Sequence, residues 1–355
     1  MSVHPELDTV RRAALIARIY DLRQPPTYLS APISAVARHT TENLRIILFS
    51  PFFDQEAQPP SNERDADSGD QAKYGFSPTG HWDDVQKLLT YVYVQATKVA
   101  QDMNRVLMDI DVLLKVPRES FDAELIRDAE RTYRIAPLYP QSPPLPGESD
   151  DRSDILVLQP EHYSHSPHQS IIPPPSDPTL PPLFPISALG GTFDHLHAGH
   201  KILLSMGAWI SREKLIVGVT DDVLLKNKVH KEVLEPLPVR TARVRGFLEL
   251  FKPGLQYDVV PISDVYGPTA WDPNIQALVA SKETLPGAAS IHKHREENGL
   301  PALRTFVIDV ISSSEASLDD RDAEALKNTK MSSTFIRQWI VETRARIDRS
   351  PPAAS

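Results

Sequence analysis

Phe184-Pro185-Ile186-Ser187-Ala188-Leu189-Gly190-Gly191-Thr192-Phe193-Asp194-His195-Leu196-His197-Ala198-Gly199-His200-Lys201-Ile202-Leu203-Leu204 is the stretch that decides how this chain is read. A short apolar strand runs into two glycines, a compact turn follows, and an amphipathic helical pattern opens near His200. Glycines at a strand end let the backbone approach a ligand, and the free N–H groups and positive dipole end of the following helix suit a phosphate. His197 and His200 stand three apart and straddle Gly199. At a helix start both imidazoles can point at one phosphate group and stabilise charge spreading over phosphoryl oxygens. Two other readings stay open: a metal triad of His195, His197 and His200, with Asp194 the single carboxylate beside it, and a purely structural His195.

Further along, Leu215-Ile216-Val217-Gly218-Val219 reads as a buried parallel strand. Its exit loop presents Thr220, Asp221 and Asp222 at the carboxyl edge, where such sheets bind ligands. From Lys226 to Lys252 seven Lys or Arg stand against three Glu, a local charge of +4 in a chain of formal net charge −9. That excess suits a polyanion. Lys226 and Lys228, just after the strand, are candidates for phosphate contact, while Lys231, Arg243 and Arg245 read as a solvated face. Ser332-Ser333-Thr334 precedes the helical pattern Phe335, Ile336, Trp339, Ile340. Alone it is an ordinary N-cap; paired with the histidines upstream it can hold a triphosphate tail. Residues 312–328 read as a polar, acidic loop.

Upstream, the composition divides the chain. There are 33 prolines against 14 glycines, and 14 of the prolines lie between Pro137 and Pro185. Proline removes a backbone donor and biases its predecessor away from helix, so 137–185 reads as an extended linker. Within it, Asp154-Ile155-Leu156-Val157-Leu158 fits a strand that closes the N-terminal domain. Residues 43–49 read as another strand and 54–80 as a polar loop. Val85, Leu88, Leu89, Val92, Ala96, Val99, Met103, Val106, Leu107 and Ile110 give one apolar face of a long helix, a core stripe. Nothing in 1–150 converges on a chemical site, and His162, His165 and His168 read as solvated loop residues.

The absence of cysteine excludes disulfides, Cys-ligated zinc, iron–sulfur clusters and a thiol nucleophile. No apolar run is long enough for a membrane span. Arg11, Arg12, Arg18 and Arg23 hint at an import peptide, but Glu6, Asp8 and Asp21 interrupt them, so a cytoplasmic home is expected over a mitochondrial one. The net negative charge argues against nucleic-acid binding.

Residues 190–200 resemble the first motif of the nucleotidyltransferase superfamily that shares its core with class I aminoacyl-tRNA synthetases. Further stretches narrow the resemblance: 217–222 before Leu224-Leu225-Lys226-Asn227-Lys228; Phe247-Leu248 with Lys252-Pro253; Asp264-Val265-Tyr266-Gly267-Pro268-Thr269; Val279-Ala280-Ser281-Lys282-Glu283-Thr284; and Lys330-Met331-Ser332-Ser333-Thr334-Phe335-Ile336-Arg337. Over roughly 186–342 the ordered set is similar to the eukaryotic, monofunctional phosphopantetheine adenylyltransferase family in its fungal form. No Gly-x4-Gly-Lys-Ser/Thr loop for a second, kinase activity occurs.

The resemblance implies an α/β chain with a C-terminal Rossmann-like domain at 186–342. A smaller α/β domain (1–136), the linker (137–185) and a charged tail (343–355) complete it. It implies transfer of AMP from ATP to 4′-phosphopantetheine, with Mg²⁺ carried on the ATP and no protein-held metal. His200, Thr192 and Lys226 would be catalytic. Gly190, Gly191, Phe193, His197, Gly199, Ser281, Glu283, Thr284, Ser332, Ser333, Thr334 and Arg337 would bind ATP. Asp194, Asp222, Lys228, Arg240, Tyr266 and Gly267 would bind the acceptor. The family's acidic residue, Gly-Gly pair and Asn on the adenine side are here Lys282, Gly287-Ala288 and His292. A cytidylyltransferase acting on phosphocholine or glycerol phosphate, and a non-catalytic nucleotide-binding interaction protein, are the competing readings.

Overall fold

A computed structural model describes residues 7–55, 76–117, 125–139, 141–142, 144–145, 155–161, 179–309 and 332–349. The described chain divides into two compact units at Leu183/Phe184. In the first unit the parallel strands β1 (Val10–Arg18), β2 (Thr40–Phe49), β3 (Asp109–Lys115), β4 (Arg131–Ile135) and β5 (Ile155–Leu158) lie in the order β3-β2-β1-β4-β5. Helices α1 (Ser30–Arg38) and α2 (Trp82–Asp102) pack on β1, β2 and β3. The core stripe is real as far as Val99, which with Val85, Leu89, Val92 and Ala96 is buried. The helix stops at Asp102, and Ile110 belongs to β3 instead. Because β5 pairs with β4, Ile155–Leu158, inside the segment read as linker, is an edge strand of the first unit's sheet. Most of the 54–80 loop, the three histidines at 162, 165 and 168, and the 312–328 loop lie outside the described residues.

The second unit repeats the same plan. Strands β6 (Phe184–Gly191), β7 (Ser211–Thr220), β8 (Gln256–Ile262), β9 (Ala277–Ser281) and β10 (Arg304–Ile308) form a parallel sheet in the order β10-β9-β6-β7-β8. Both sheets start at a central strand, grow to one side and then switch to the other, which is the doubly wound Rossmann order. In the second sheet the switch point falls between β6 and β9, whose registers pair Ser187–Leu189 with Ala277–Val279.

Helices cover both faces of this sheet. Ala188, Ile216, Leu278 and Ala280 pack with Ala288 and Ile291 of α5 (Leu285–Glu297). On the other side α3 (Ala198–Ile210) lies so close that a Cβ on Gly207 would run into the Leu189 side chain. Glycine in mid-helix costs about 1 kcal/mol of propensity, and this contact is its return. Helix α4 (Leu237–Phe251) packs on β7 and β8, and α6 (Ser333–Arg349) follows. The charged segment expected as a tail from 343 is therefore helical to Arg349; Gln338 and Arg346 both contact Glu342 at four-residue spacing.

Candidate active site

The motif turn leaves β6 at Gly191 and enters α3 at Ala198, earlier than the pattern suggested, so His197 is the N-cap and His200 closes the first turn. His197 makes no side-chain capping bond. The two rings stack instead, 3.9 Å between centroids and 22° from parallel. Phe193 lies against the other histidine, 5.2 Å from the His200 ring. This column holds the imidazoles in place, because neither Nδ1 has a hydrogen-bond partner among the described residues. Buried polar atoms are nearly always paired, so these two adjacent exceptions leave hydrogen-bonding capacity open at one helix start.

Phe193 is fully buried and its backbone is left-handed, φ 52°. A bulky residue in that region is strained and persists only where its surroundings demand it. The demand also explains Gly191: a Cβ there would meet the Phe193 ring at 3.2 Å. Gly190, in contrast, has only ordinary contacts at 3.6 Å and beyond around its notional Cβ. Phe193, expected at the nucleotide, packs beneath Gly191 and against His200.

Burial first, then His195 and Lys201, hold His197 down at about 3. Burial and the neighbouring His197 push His200 well below its usual range. Both rings are neutral at pH 7, donors without a buried charge. The folded pKa values lie below the unfolded value of 6.5, so the unfolded state binds more protons in acid. For His197 the contribution is full above pH 6.5 and falls as the pH drops toward 3, by at most about 1.4 kcal/mol per pH unit, and His200 acts in the same direction. Urea unfolding at pH 7 and pH 5 checks this: His197→Gln should lose less stability than the wild type between the two, and an equal loss would disprove it.

Behind the turn stand two buried arginines. Arg240, fully buried, donates to the carbonyls of Thr192 (2.6 Å), Thr220 (2.9 Å) and Glu235 (2.9 Å) and to Oδ1 of Asp222 (2.5 Å). It ties the exits of β6 and β7 together. Arg337 pairs with the fully buried Asp194 at 2.6 Å. Both carboxylate oxygens of Asp194 are engaged, since Oδ1 accepts the backbone N–H of Glu235 at 2.9 Å. Asp194, Arg240 and Arg337, expected at the ligands, thus have their polar atoms on protein partners and frame the site. Periodicity could not show this, since the Asp194–Arg337 pair joins residues 143 positions apart.

His195 belongs to the frame as well. Its ring Nε2 lies 2.8 Å from the carbonyl of Val233, and its backbone N–H donates to Glu235. Asp194, His195 and Glu235 place ligand atoms within 4.8 Å of one another. Their carboxylates already answer Arg337 and Arg243, so ion pairing accounts for the cluster. His195 does not join His197 and His200 in a triad.

Lys226 and Lys228 are exposed on the loop beyond β7, with Asp222 half-exposed at its start. Ser332 caps α6, accepting from the N–H of Phe335 at 3.3 Å, and Ser333 Oγ donates to the carbonyl of Asp194 at 2.8 Å. The last motif is thereby fastened to the first, and Thr334 Oγ1 accepts from Arg337. At the end of β9, Ser281 and Thr284 bond each other and open α5, while Glu283 stays exposed. Lys282 pairs with Asp309, and His292 bonds Thr305 on β10 at 2.7 Å. Asp264 accepts the N–H groups of Tyr266 and Gly267. The Tyr266 ring stacks on His294, and Gly267, at φ 49°, has no room for a Cβ beside Ile262.

Among the described residues no helix is long and apolar enough to cross a membrane. The family described as cytidylyltransferase-like matches residues 188–339. A phosphopantetheine adenylyltransferase of Saccharomyces cerevisiae is 42% identical over 180 residues, 51% of this chain and 56% of that protein. The chain thus spans about half the length of that relative. Phosphopantetheine adenylyltransferases of Pyrobaculum aerophilum (37% identical, 35% of this chain and 78% of that protein) and Pyrococcus abyssi (34%, 43% and 89%) are matched over most of their length. With the stacked histidines, the two glycines and the Ser-Ser-Thr cap in the same ordered frame, the chain belongs to the phosphopantetheine adenylyltransferase family.

Proposed function

We propose that the protein transfers AMP from ATP to 4′-phosphopantetheine, giving dephospho-coenzyme A and pyrophosphate, a step of coenzyme A biosynthesis. The observation that carries this is the His197–His200 stack, two neutral imidazoles with unpartnered Nδ1 atoms at the start of α3. The acceptor phosphate has a second ionisation near about pH 6 and is already a nucleophile at pH 7, so no general base is required. Its oxygen attacks the α-phosphorus in line, that P–O bond forms, and the bond to the pyrophosphate oxygen breaks. Catalysis then reduces to alignment and charge stabilisation.

In this reading Thr192 and Lys226 orient the acceptor phosphate, with Lys228 beside them. His200 serves the α-phosphate, His197 the β- or γ-phosphate, and the N–H groups of α6 behind Ser332 the triphosphate tail. Ser281, Glu283 and Thr284 stand on the base side. Mg²⁺ arrives on the ATP phosphates; the acidic cluster of Asp194 and Glu235 is already neutralised and is given no part in holding it. A cytoplasmic site of action accompanies the reading.

Pyrophosphate release tests it. The purified chain should release pyrophosphate with ATP plus 4′-phosphopantetheine and not with CTP plus phosphocholine. The reverse pattern would make it a cytidylyltransferase, and ATP binding without turnover would favour an interaction protein.

A further inference from the structure

Arg337 lies one turn inside α6 and is 2% exposed, so its guanidinium is withdrawn from water. Its donors reach three different parts of the site. Nη1 donates to Oδ2 of Asp194 in the motif turn at 2.6 Å. Nε donates to the carbonyl of Val229, in the loop that carries Lys226 and Lys228, at 2.9 Å. Nη2 donates to Oγ1 of Thr334 in the first turn of α6 at 3.2 Å. Asp194 extends the link, taking Ser333 Oγ on its carbonyl and the Glu235 N–H on its carboxylate.

We propose that Arg337 is a positioning residue that couples the two substrate sites, so that ATP at the α6 end and the acceptor at the 226–229 loop favour one and the same docked arrangement. The proposal rests on the adenylyl-transfer reading. A buried charge tolerates only the arrangement that keeps its partners, so α6 cannot shift without stranding Asp194 or releasing Val229. A ligand moves such an element only by binding one arrangement better than another. A triphosphate held by the first turn of α6 selects the docked helix, and a phosphate held by the loop selects the docked loop. Because one guanidinium joins helix and loop, each ligand tightens the other, and by thermodynamic reciprocity the factor is the same in both directions.

Calorimetric titration of the full chain with 4′-phosphopantetheine, with and without α,β-methylene ATP, tests the coupling. In the wild type the analogue should tighten acceptor binding roughly tenfold. Arg337→Lys keeps the charge and loses the planar fork, and should bring that ratio below about twofold while each ligand alone still binds. A folded variant that keeps the full ratio, or a wild type with no ratio to lose, overturns the proposal. If a thermal melt shows Arg337→Lys unfolded, Asp194→Asn combined with Arg337→Gln, which buries no charge, carries the same expectation. A wild type that binds neither ligand overturns the adenylyl-transfer reading and the coupling with it; binding of both without mutual tightening overturns the coupling alone.

Discussion

His200→Ala is expected to lower kcat about a hundredfold or more, the scale of losing one donor aimed at transition-state charge, about 2.7 kcal/mol. The loss should fall on kcat far more than on the KM for ATP, because negative charge on the α-phosphoryl oxygens grows only as the bond to pyrophosphate breaks. A neutral imidazole is well suited to this. It donates a hydrogen bond as charge develops, and burial removes the ionisation that would compete at pH 7. The protein should still fold. His200 has an unpartnered buried Nδ1, so truncation removes a polar atom that contributes little to stability, and the open edge of the ring limits the cavity left behind. A steady-state assay with a melt on the same sample decides: turnover within threefold of wild type would remove His200 from the chemistry.

The same ring shows how far the sequence could be read. Gly190 to His200 announce a strand, a tight turn and a helix, and the structure has all three, because chemistry that needs backbone near a phosphate leaves glycines and a helix start in a fixed order. What the order does not carry is where side chains point. Phe193 stands inside the motif yet is turned beneath Gly191, and Asp194 is turned into a buried pair with a residue 143 positions away. Long-range pairing of that kind leaves no periodicity.

The first unit was less legible still. Val10–Arg18 is a central strand, but its alanines and arginines do not alternate or cluster as strand formers, and burial on both faces removes the period-two signal. In the same way Val106, Leu107 and Ile110 fall on the three- and four-residue spacing of α2, so the pattern ran past the polar break at Asp102, Asn104 and Arg105 into β3. The repetition of one sheet order in both units emerges only from strand pairing.

Arg240→Met is expected to cost about 2 kcal/mol or more of stability in the second unit, since a buried acceptor left unpaired costs roughly 1–3 kcal/mol and these three, only partly buried, regain some hydration. Three carbonyls, those of Thr192, Thr220 and Glu235, lose their donor together, while methionine keeps most of the stem's volume. Asp222 adds less, because its side chain is 52% exposed and regains water. Three of the four tryptophans, Trp209, Trp271 and Trp339, lie in the second unit, so urea unfolding followed by tryptophan fluorescence reports mainly on it. Arg240→Lys restores one charge without the fork and should fall between wild type and Arg240→Met. The alternative, that Arg240 grips the acceptor, makes the opposite demand: acceptor affinity would collapse at unchanged stability. The geometry favours the first outcome, because a guanidinium holding the exits of β6 and β7 at three points, and the loop before α4 at a fourth, has its charge answered before any substrate arrives, and the orientation of Thr192 depends on its staying there.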